Sequence, residues 1–405
     1  VKTGAGMTNM ENLEKQIDEI LTRGVVEVID KDNLKKRMLS GEKLRIKLGI
    51  DPTSPNIHLG RSIPLLKLKD FQDLGHQVVF IIGDFTGVIG DTSDKESERP
   101  MLSEEQVQKN LETYKEQAGK ILDMEKVEFH HNSEWLSKLT YKEICEQADI
   151  FSLAEFNARE NIKKRLEAGT RISLRELLYP LMQGYDSVEI KADVELGGTD
   201  QRFNILAGRE MQKHFKQTPQ DIILTTLIEG TDGRKMSSSW GNTINLTENP
   251  TDMFGKVMSV RDGSISTYFI HCTRVPMEDV KKREQEMKSG TMNPRDAKLN
   301  LAFEIVKIYH GEAEAQKAKD YFVNTFSKKE MPTEISEVPV GGNTKILDYI
   351  VAVGFAGSKS DARRKLEQGG VSIDGEKISE DIIIDAKYAG KVLKVGKKDF
   401  VKIVF

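Results

Sequence analysis

Leu44-Arg-Ile-Lys-Leu-Gly-Ile50 alternates apolar and polar positions like a strand, and Asp51-Pro-Thr-Ser-Pro-Asn56 ends it with turn residues. Leu59–Leu74 then carries a helical pattern closed by Gly75, with Pro64 expected to bend its early turns. Gln77–Gly83 (QVVFIIG) is an apolar run short enough for a buried strand. Farther on, Ser103-Glu-Glu-Gln106 reads as a capping box. Behind it Val107, Leu111, Tyr114, Ala118 and Ile121 share one helical face. Lys126–His130 is a third strand candidate. The order β-turn-α-β-α-β predicts an α/β fold with a doubly wound parallel sheet. Working outward, charge-rich residues 10–40 read as helix, and Asp186–Asp193 and Ile222–Ile228 as further strands.

From Asn249 the strand signals stop. Asn249-Pro250 and Asn293-Pro294 each place an N-cap before a proline at the first helical position, and the second helix runs to Gly311. The reading is a sheet domain with an N-terminal helix over 1–245 and an all-helical domain over 246–330. A polar Pro/Gly linker follows at 331–342, then a small α+β module at 343–405. That module shows helical patterns at Lys345–Gly354 and Ser360–Gln368, with short strands near Asp374-Gly375 and at Lys391–Phe405.

The 405 residues carry 60 Lys+Arg and 64 Asp+Glu, a net charge of −4. A uniformly basic nucleic-acid coat is thereby excluded. The charge is uneven: residues 343–405 hold 12 basic and 9 acidic residues, leaving 48 and 55 on the first 342. Lys359, Arg363, Arg364 and Lys365 cluster on or beside one helix. No run of 18 apolar residues occurs, so no membrane helix is expected. Cys145 and Cys272 fit no metal spacing, which suits a reduced cytoplasmic protein. The N-terminus lacks an apolar signal core, and Met7 reads as the natural start, with Val1–Gly6 an expression remnant.

Three segments could carry chemistry. Gly49–Arg61 links the first strand to its helix, where open α/β sheets bind ligands. A helix N-terminus there offers free N–H groups to phosphate, Thr53 and His58 add polar groups, and Gly60 permits close approach. Lys235-Met-Ser-Ser-Ser239, after Asp232-Gly233-Arg234, is a cationic, hydroxyl-rich loop suited to charge on leaving phosphates. In Leu177–Asp186, Tyr179, Gln183 and Asp186 fall on one helical stripe. Gly197-Gly-Thr-Asp-Gln201 follows at another expected strand-to-helix turn, where Asp200 could hold a ribose hydroxyl. Read blandly, these are a Pro-rich loop with a capping histidine, a solvated loop and a solvated helix face.

Together they resemble a known family. His58-Leu-Gly-Arg61 resembles the HIGH signature of class I aminoacyl-tRNA synthetases, and Lys235–Ser239 their KMSKS loop. YPLMQGYDS and GGTDQ are similar to the bacterial tyrosyl-tRNA synthetases, and the resemblance runs from about Leu44 to the C-terminus. The final module is similar to a small RNA-binding domain shared with a ribosomal protein. The resemblance implies a Rossmann-like catalytic domain, formation of tyrosyl-adenylate from L-tyrosine and ATP, and transfer of tyrosine to its tRNA. It implies that Thr53 and His58 grip phosphates, with Asp51 and Gly60 beside ATP. Lys235, Ser237 and Ser238 close over pyrophosphate, and Gly198 and Asp200 hold the ribose. Asp91, Tyr179, Gln183, Asp186 and Gln201 would bind tyrosine, with Asp186 accepting from the phenol. Lys359, Arg363, Arg364 and Lys365 would meet RNA phosphates. Magnesium would accompany ATP without an identifiable protein ligand. A cytoplasmic homodimer is implied, its contacts guessed at 133–175, with no membrane partner.

Two departures stand out. Arg61 replaces the second signature histidine, and Ser238 replaces the second loop lysine. Arg61 is expected to compensate in part, being a permanent cation with a planar donor fork. Lys47 stands where some relatives carry a tyrosine and is left out of the site. Three other readings compete: an RNA binder that has lost catalysis, a tryptophanyl relative, and a small-molecule nucleotidylyltransferase.

Overall fold

Apolar strands alternating with helices give, over the first part of the chain, one six-stranded sheet. Its strands are β1 (Val25–Ile29), β2 (Arg45–Ile50), β3 (Gln77–Ile82), β4 (Val127–His131), β5 (Val194–Gly198) and β6 (Asp221–Thr225). Their spatial order is β1-β6-β5-β2-β3-β4; β1 runs antiparallel to β6 and every other pair is parallel. The computed structural model describes residues 9–91, 101–327, 335–342, 344–396 and 399–405. The expectation for Val1–Gly6 lies outside the described residues. The chain forms two compact units divided between Ala315 and Gln316.

Residues 10–40 are not one helix. The helix Asn9–Thr22 stops before Gly24, which takes φ 64° and ends it in the left-handed region. Val25-Val-Glu-Val-Ile29, rich in β-branched side chains, then prefers a strand. A second helix restarts at Lys31–Leu39. Nor is Asp186–Asp193 a strand. Ser173 and Glu176 form a reciprocal capping box that starts the helix Leu174–Glu189, and the strand begins at Val194. The helical face expected after Ser103 is broken into Glu104–Leu111 and Tyr114–Gly119. Ser103 accepts from the Gln106 N–H, but the Gln106 side chain donates to Asn110 instead of closing the box.

Those two short helices serve the loop after β2. Asn110 donates to the Pro52 carbonyl at 2.8 Å, Tyr114 to that of Ser54 at 2.7 Å, and Gln117 to that of Pro55 at 2.9 Å. Gln117 also accepts from the Ile57 N–H at 2.7 Å. A proline-containing turn that cannot join a ladder has its backbone groups satisfied this way.

After the sheet the first unit is helical. Pro250–Ser259 and Pro294–His310 start at the two expected asparagine caps, and Gly311 takes φ 83° at the end of the latter. Tyr309 on that helix shares a 2.8 Å hydrogen bond with Ser62 on the helix Leu59–Asp73.

The second unit is a small α+β body. Its strands are β7 (Glu337–Pro339), β8 (Thr344–Lys345), β9 (Val371–Ile373), β10 (Glu376–Lys377), β11 (Ile383–Ile384), β12 (Val392–Val395) and β13 (Asp399–Val404). Five form a sheet of order β10-β9-β12-β13-β7, and β11 pairs with β8. Ile346, Ile350 and Leu366, on the helices Ile346–Ala352 and Lys359–Glu367, share its core with Val371, Leu393 and Ile403 of the sheet. Part of the stretch read as linker is therefore strand: β7 runs parallel to β13.

Candidate active site

In an open parallel sheet, the loops after two neighbouring strands part where the strand order reverses, and a crevice opens beyond the carboxyl ends. Here that point lies between β2 and β5. A cavity of about 380 Å³ occupies it. Asp51, Thr53, His58, Gly60 and Arg61 line it from the β2 side, and Gly198, Asp200 and Gln201 from the β5 side. Asp91, Tyr179, Gln183 and Asp186 line it too, as do Lys235, Ser237 and Ser238. Residues spread over nearly 190 positions of sequence thus converge on one space.

Asp186 is buried and accepts from Trp135 Nε1 at 2.8 Å and from Asn132 Nδ2 at 3.3 Å. Burial pushes its carboxyl up to about 7, against the pull of Lys47 and of those two donors. Tyr179 donates to Asp51 Oδ2 at 2.8 Å, and Thr86 to Oδ1 at 2.7 Å. Desolvation still raises Asp51 to about 6. A Cβ at Gly83 would lie 2.0 Å from Asp51 Oδ1, so only glycine permits this carboxylate cluster. Asp91 Oδ2 accepts from Gln201 at 2.7 Å. Gln183 donates to Glu195 at 3.1 Å.

The cavity lining also includes cations and hydroxyl donors. Arg61 turns back onto the loop after β2: Nη2 donates to Thr53 Oγ1 at 2.7 Å, and Nη1 to Tyr114 at 3.0 Å and to the Asp51 carbonyl at 3.3 Å. His58 occupies the N-cap position without capping the helix, and its buried Nδ1 has no partner among the described residues. Burial, with Arg61 and Lys235 nearby, pulls it down to about 3, so it is a neutral imidazole. The Lys235 loop is tied in from several sides. Met236 Sδ accepts from the Gly60 N–H at 3.3 Å, and Ser238 lies 3.2 Å from Ser54. Lys235 reaches Asp200 at 3.0 Å. Asn242 accepts from the Ser237 N–H at 2.8 Å and donates to Asp232 at 2.8 Å, knotting the base of the loop.

Sequence reasoning missed Thr86, Asn132, Trp135 and Asn242 as parts of this arrangement. Asn132 follows β4 directly, and the strand-end rule applied there could have found it. No local pattern marks Asn242. The four basic candidates lie in the second unit, on Lys359–Glu367. Arg363 is exposed, Lys359 pairs with Asp348, Arg364 with Asp361 at 2.5 Å, and Lys365 donates to the Phe355 carbonyl.

Residues 39–327 match the family model described as tRNA synthetases class I (W and Y). A tyrosine–tRNA ligase of Thermotoga maritima is 47% identical over 392 residues, covering 96% of this chain and 97% of that protein. One from Carboxydothermus hydrogenoformans is 45% identical, covering 98% and 99%. Among solved structures, a C-terminally truncated mitochondrial tyrosyl-tRNA synthetase of Coccidioides posadasii shares the fold. Its TM-score is 0.62 at 24% identity, covering 77% of this chain and 95% of that one. Tyrosyl-tRNA synthetase of Archaeoglobus fulgidus, complexed with L-tyrosine, gives 0.61 at 22%, covering 76% and 99%. By these matches and by its sheet topology, the chain belongs to the tyrosine–tRNA ligases among the class I tRNA synthetases.

Proposed function

We infer that this protein activates L-tyrosine with ATP and transfers it to the 3′ end of its tRNA. The observation that carries the reading is one cavity lined both by a buried acceptor, Asp186, and by His58, Arg61 and Lys235. The tyrosine carboxylate oxygen attacks the α-phosphorus of ATP and pyrophosphate leaves. A tRNA ribose hydroxyl then attacks the carbonyl and AMP leaves. The first step needs no general base, because the nucleophile is already ionised; it needs alignment and charge stabilisation.

In this reading Asp186 accepts the phenolic hydrogen, and Tyr179, Gln183, Asp91 and Gln201 surround the ammonium. Gly198 and Asp200 take the ribose. Thr53, His58 and the helix start at Gly60 face the phosphates beside Asp51, and Lys235, Ser237 and Ser238 face the pyrophosphate. Magnesium enters bound to ATP. Phenylalanine would cover the buried Asp186 without bringing it the phenolic donor, which disfavours it. ATP–pyrophosphate exchange against all twenty amino acids tests this: exchange with tyrosine alone is expected, and exchange led by tryptophan, or none, overturns it.

The second unit, with its surplus of basic residues, supplies RNA contacts through Lys359, Arg363, Arg364 and Lys365. The enzyme works in the cytoplasm, with its tRNA, as a homodimer; cell fractionation tests the first point. Supporting the dimer, Tyr141, Leu153, Leu166 and Leu174 are large exposed apolar side chains within 133–175. Leu153→Asp with Leu174→Asp should sediment as a monomer; a dimer of unchanged stability would exclude this segment.

A further inference from the structure

Beneath the cavity, β2 and β5 pair in parallel with Lys47 directly opposite Glu195. Both side chains are buried, at 0% and 1% exposure, and Lys47 Nζ lies 3.0 Å from Glu195 Oε1. A buried ion pair is seldom a gain over two apolar side chains, so stability alone does not account for it. Its hydrogen bonds point elsewhere. The three donors of Lys47 are used: besides Glu195 they reach the Gln183 carbonyl at 2.9 Å and Ser187 Oγ at 2.7 Å. Glu195 accepts from the Gln183 side chain at 3.1 Å through one oxygen and from Ser187 at 3.0 Å through the other. The pair therefore grips the helix Leu174–Glu189 at two positions that bracket Asp186.

We propose that Lys47 and Glu195 are positioning residues for the amino-acid pocket, locking Gln183 and Ser187 on either side of Asp186 and balancing the charge that Asp186 feels. The proposal rests on the reading of Asp186 as the acceptor for the substrate hydroxyl. The groups facing Asp186 are few. Lys47 from β2 favours its ionised form, and so do Trp135 and Asn132 by hydrogen bonding; Glu195 from β5 opposes it. Tyr179 faces it from its own helix. His130 meets Trp135 edge-on, with ring centroids 5.6 Å apart. Lys47 and Glu195 thus act on one carboxylate with opposite signs, while both hold the helix that carries it.

The test is the pH dependence of kcat/KM for tyrosine in pyrophosphate exchange, from about pH 5.5 to about pH 9. Asp186→Asn comes first: an undiminished kcat/KM for tyrosine overturns the underlying reading, whatever Lys47 does. With that loss in place, Lys47→Met should move the acid limb up by about one pH unit and Glu195→Gln should move it down. Both should raise the tyrosine KM by about tenfold, with the ATP KM unchanged. The double variant Lys47→Met/Glu195→Gln should return the limb toward its original place while the tyrosine KM stays high. Folded single variants whose limbs do not move, or move the same way, overturn the proposal. Should either single variant fail to fold, the double variant decides by the same measure: a wild-type tyrosine KM overturns it.

Discussion

Arg61 Nη2 donates to the hydroxyl of Thr53 at 2.7 Å. The cation that replaces the signature's second histidine is thus directed at the loop whose threonine we propose faces the phosphates. Its other contacts, to Tyr114 and the Asp51 carbonyl, pin the same loop. Compensation for the lost loop lysine is therefore expected to work through loop placement.

Arg61→Ala should lower the exchange rate by about tenfold, and Arg61→Lys should recover little, because an ammonium cannot reproduce the planar fork. An unchanged rate in the alanine variant would end the compensating role.

Asp186→Asn should reduce tyrosine activation by about two orders of magnitude. The same change should stabilise the fold at alkaline pH. The native carboxyl is raised from the ordinary 3.8 to about 7, so the folded state holds the proton more tightly than the unfolded one. Native stability from this group then falls as pH rises between those values. At pH 8 the variant should gain on the order of 2 kcal/mol, shrinking to nothing below about pH 4. Paired thermal melts at the two pH values check the sign.

His58 should be silent in pH–rate profiles. At about 3, its protonation lies below the working range. His58→Ala is expected to cost about 10²-fold in kcat for adenylate formation, by loss of a polar group in a dry site, with the tyrosine KM unchanged. A limb near pH 6.5 that disappears in this variant would contradict the buried neutral imidazole.

Removing the second unit should spare adenylate formation and weaken tRNA charging. Because β7 pairs with β13, deleting only 343–405 leaves one strand without its partner. A cut after residue 327 is the cleaner variant. The intact chain should bind tRNA with a steep salt dependence, and the shortened one with a shallower slope. Equal loss of adenylate formation would refute this division of labour.

The first crossover was legible because β2, the helix after it and β3 each carry an unbroken pattern with turn residues between. β1 was not, since five residues between two helices leave no window for periodicity, and only Gly24 and the valines mark it. The polar stripe Tyr179–Gln183–Asp186 was legible as a stripe, yet residues 186–189 were also counted toward a strand that starts eight positions after Asp186. Ser187-Val-Glu-Ile-Lys-Ala-Asp193 alternates polar and apolar residues, a strand-like period that here belongs to a helix end and the turn after it. Lys47 illustrates the limit best. In sequence it is one of the polar positions of an alternating strand. Its role depends on Glu195, about 150 positions away, and on the sheet order that makes them neighbours.

The bond between Tyr309 and Ser62 bears on how such a chain can be cut or assembled. Ser62 sits one residue past the His58–Arg61 signature, and Tyr309 lies in the helical region that follows the sheet. Both are buried in the unit that ends at Ala315. A gene fragment ending at residue 245 would uncover Ser62 on the signature helix, a residue that does not line the cavity as Gly60, Arg61 and Pro64 do. The smallest autonomous adenylating piece of this chain is therefore expected to end near 315, not at the last strand of the sheet. In recombination terms, the helical region is expected to travel with the sheet, and the exchangeable part to begin after it.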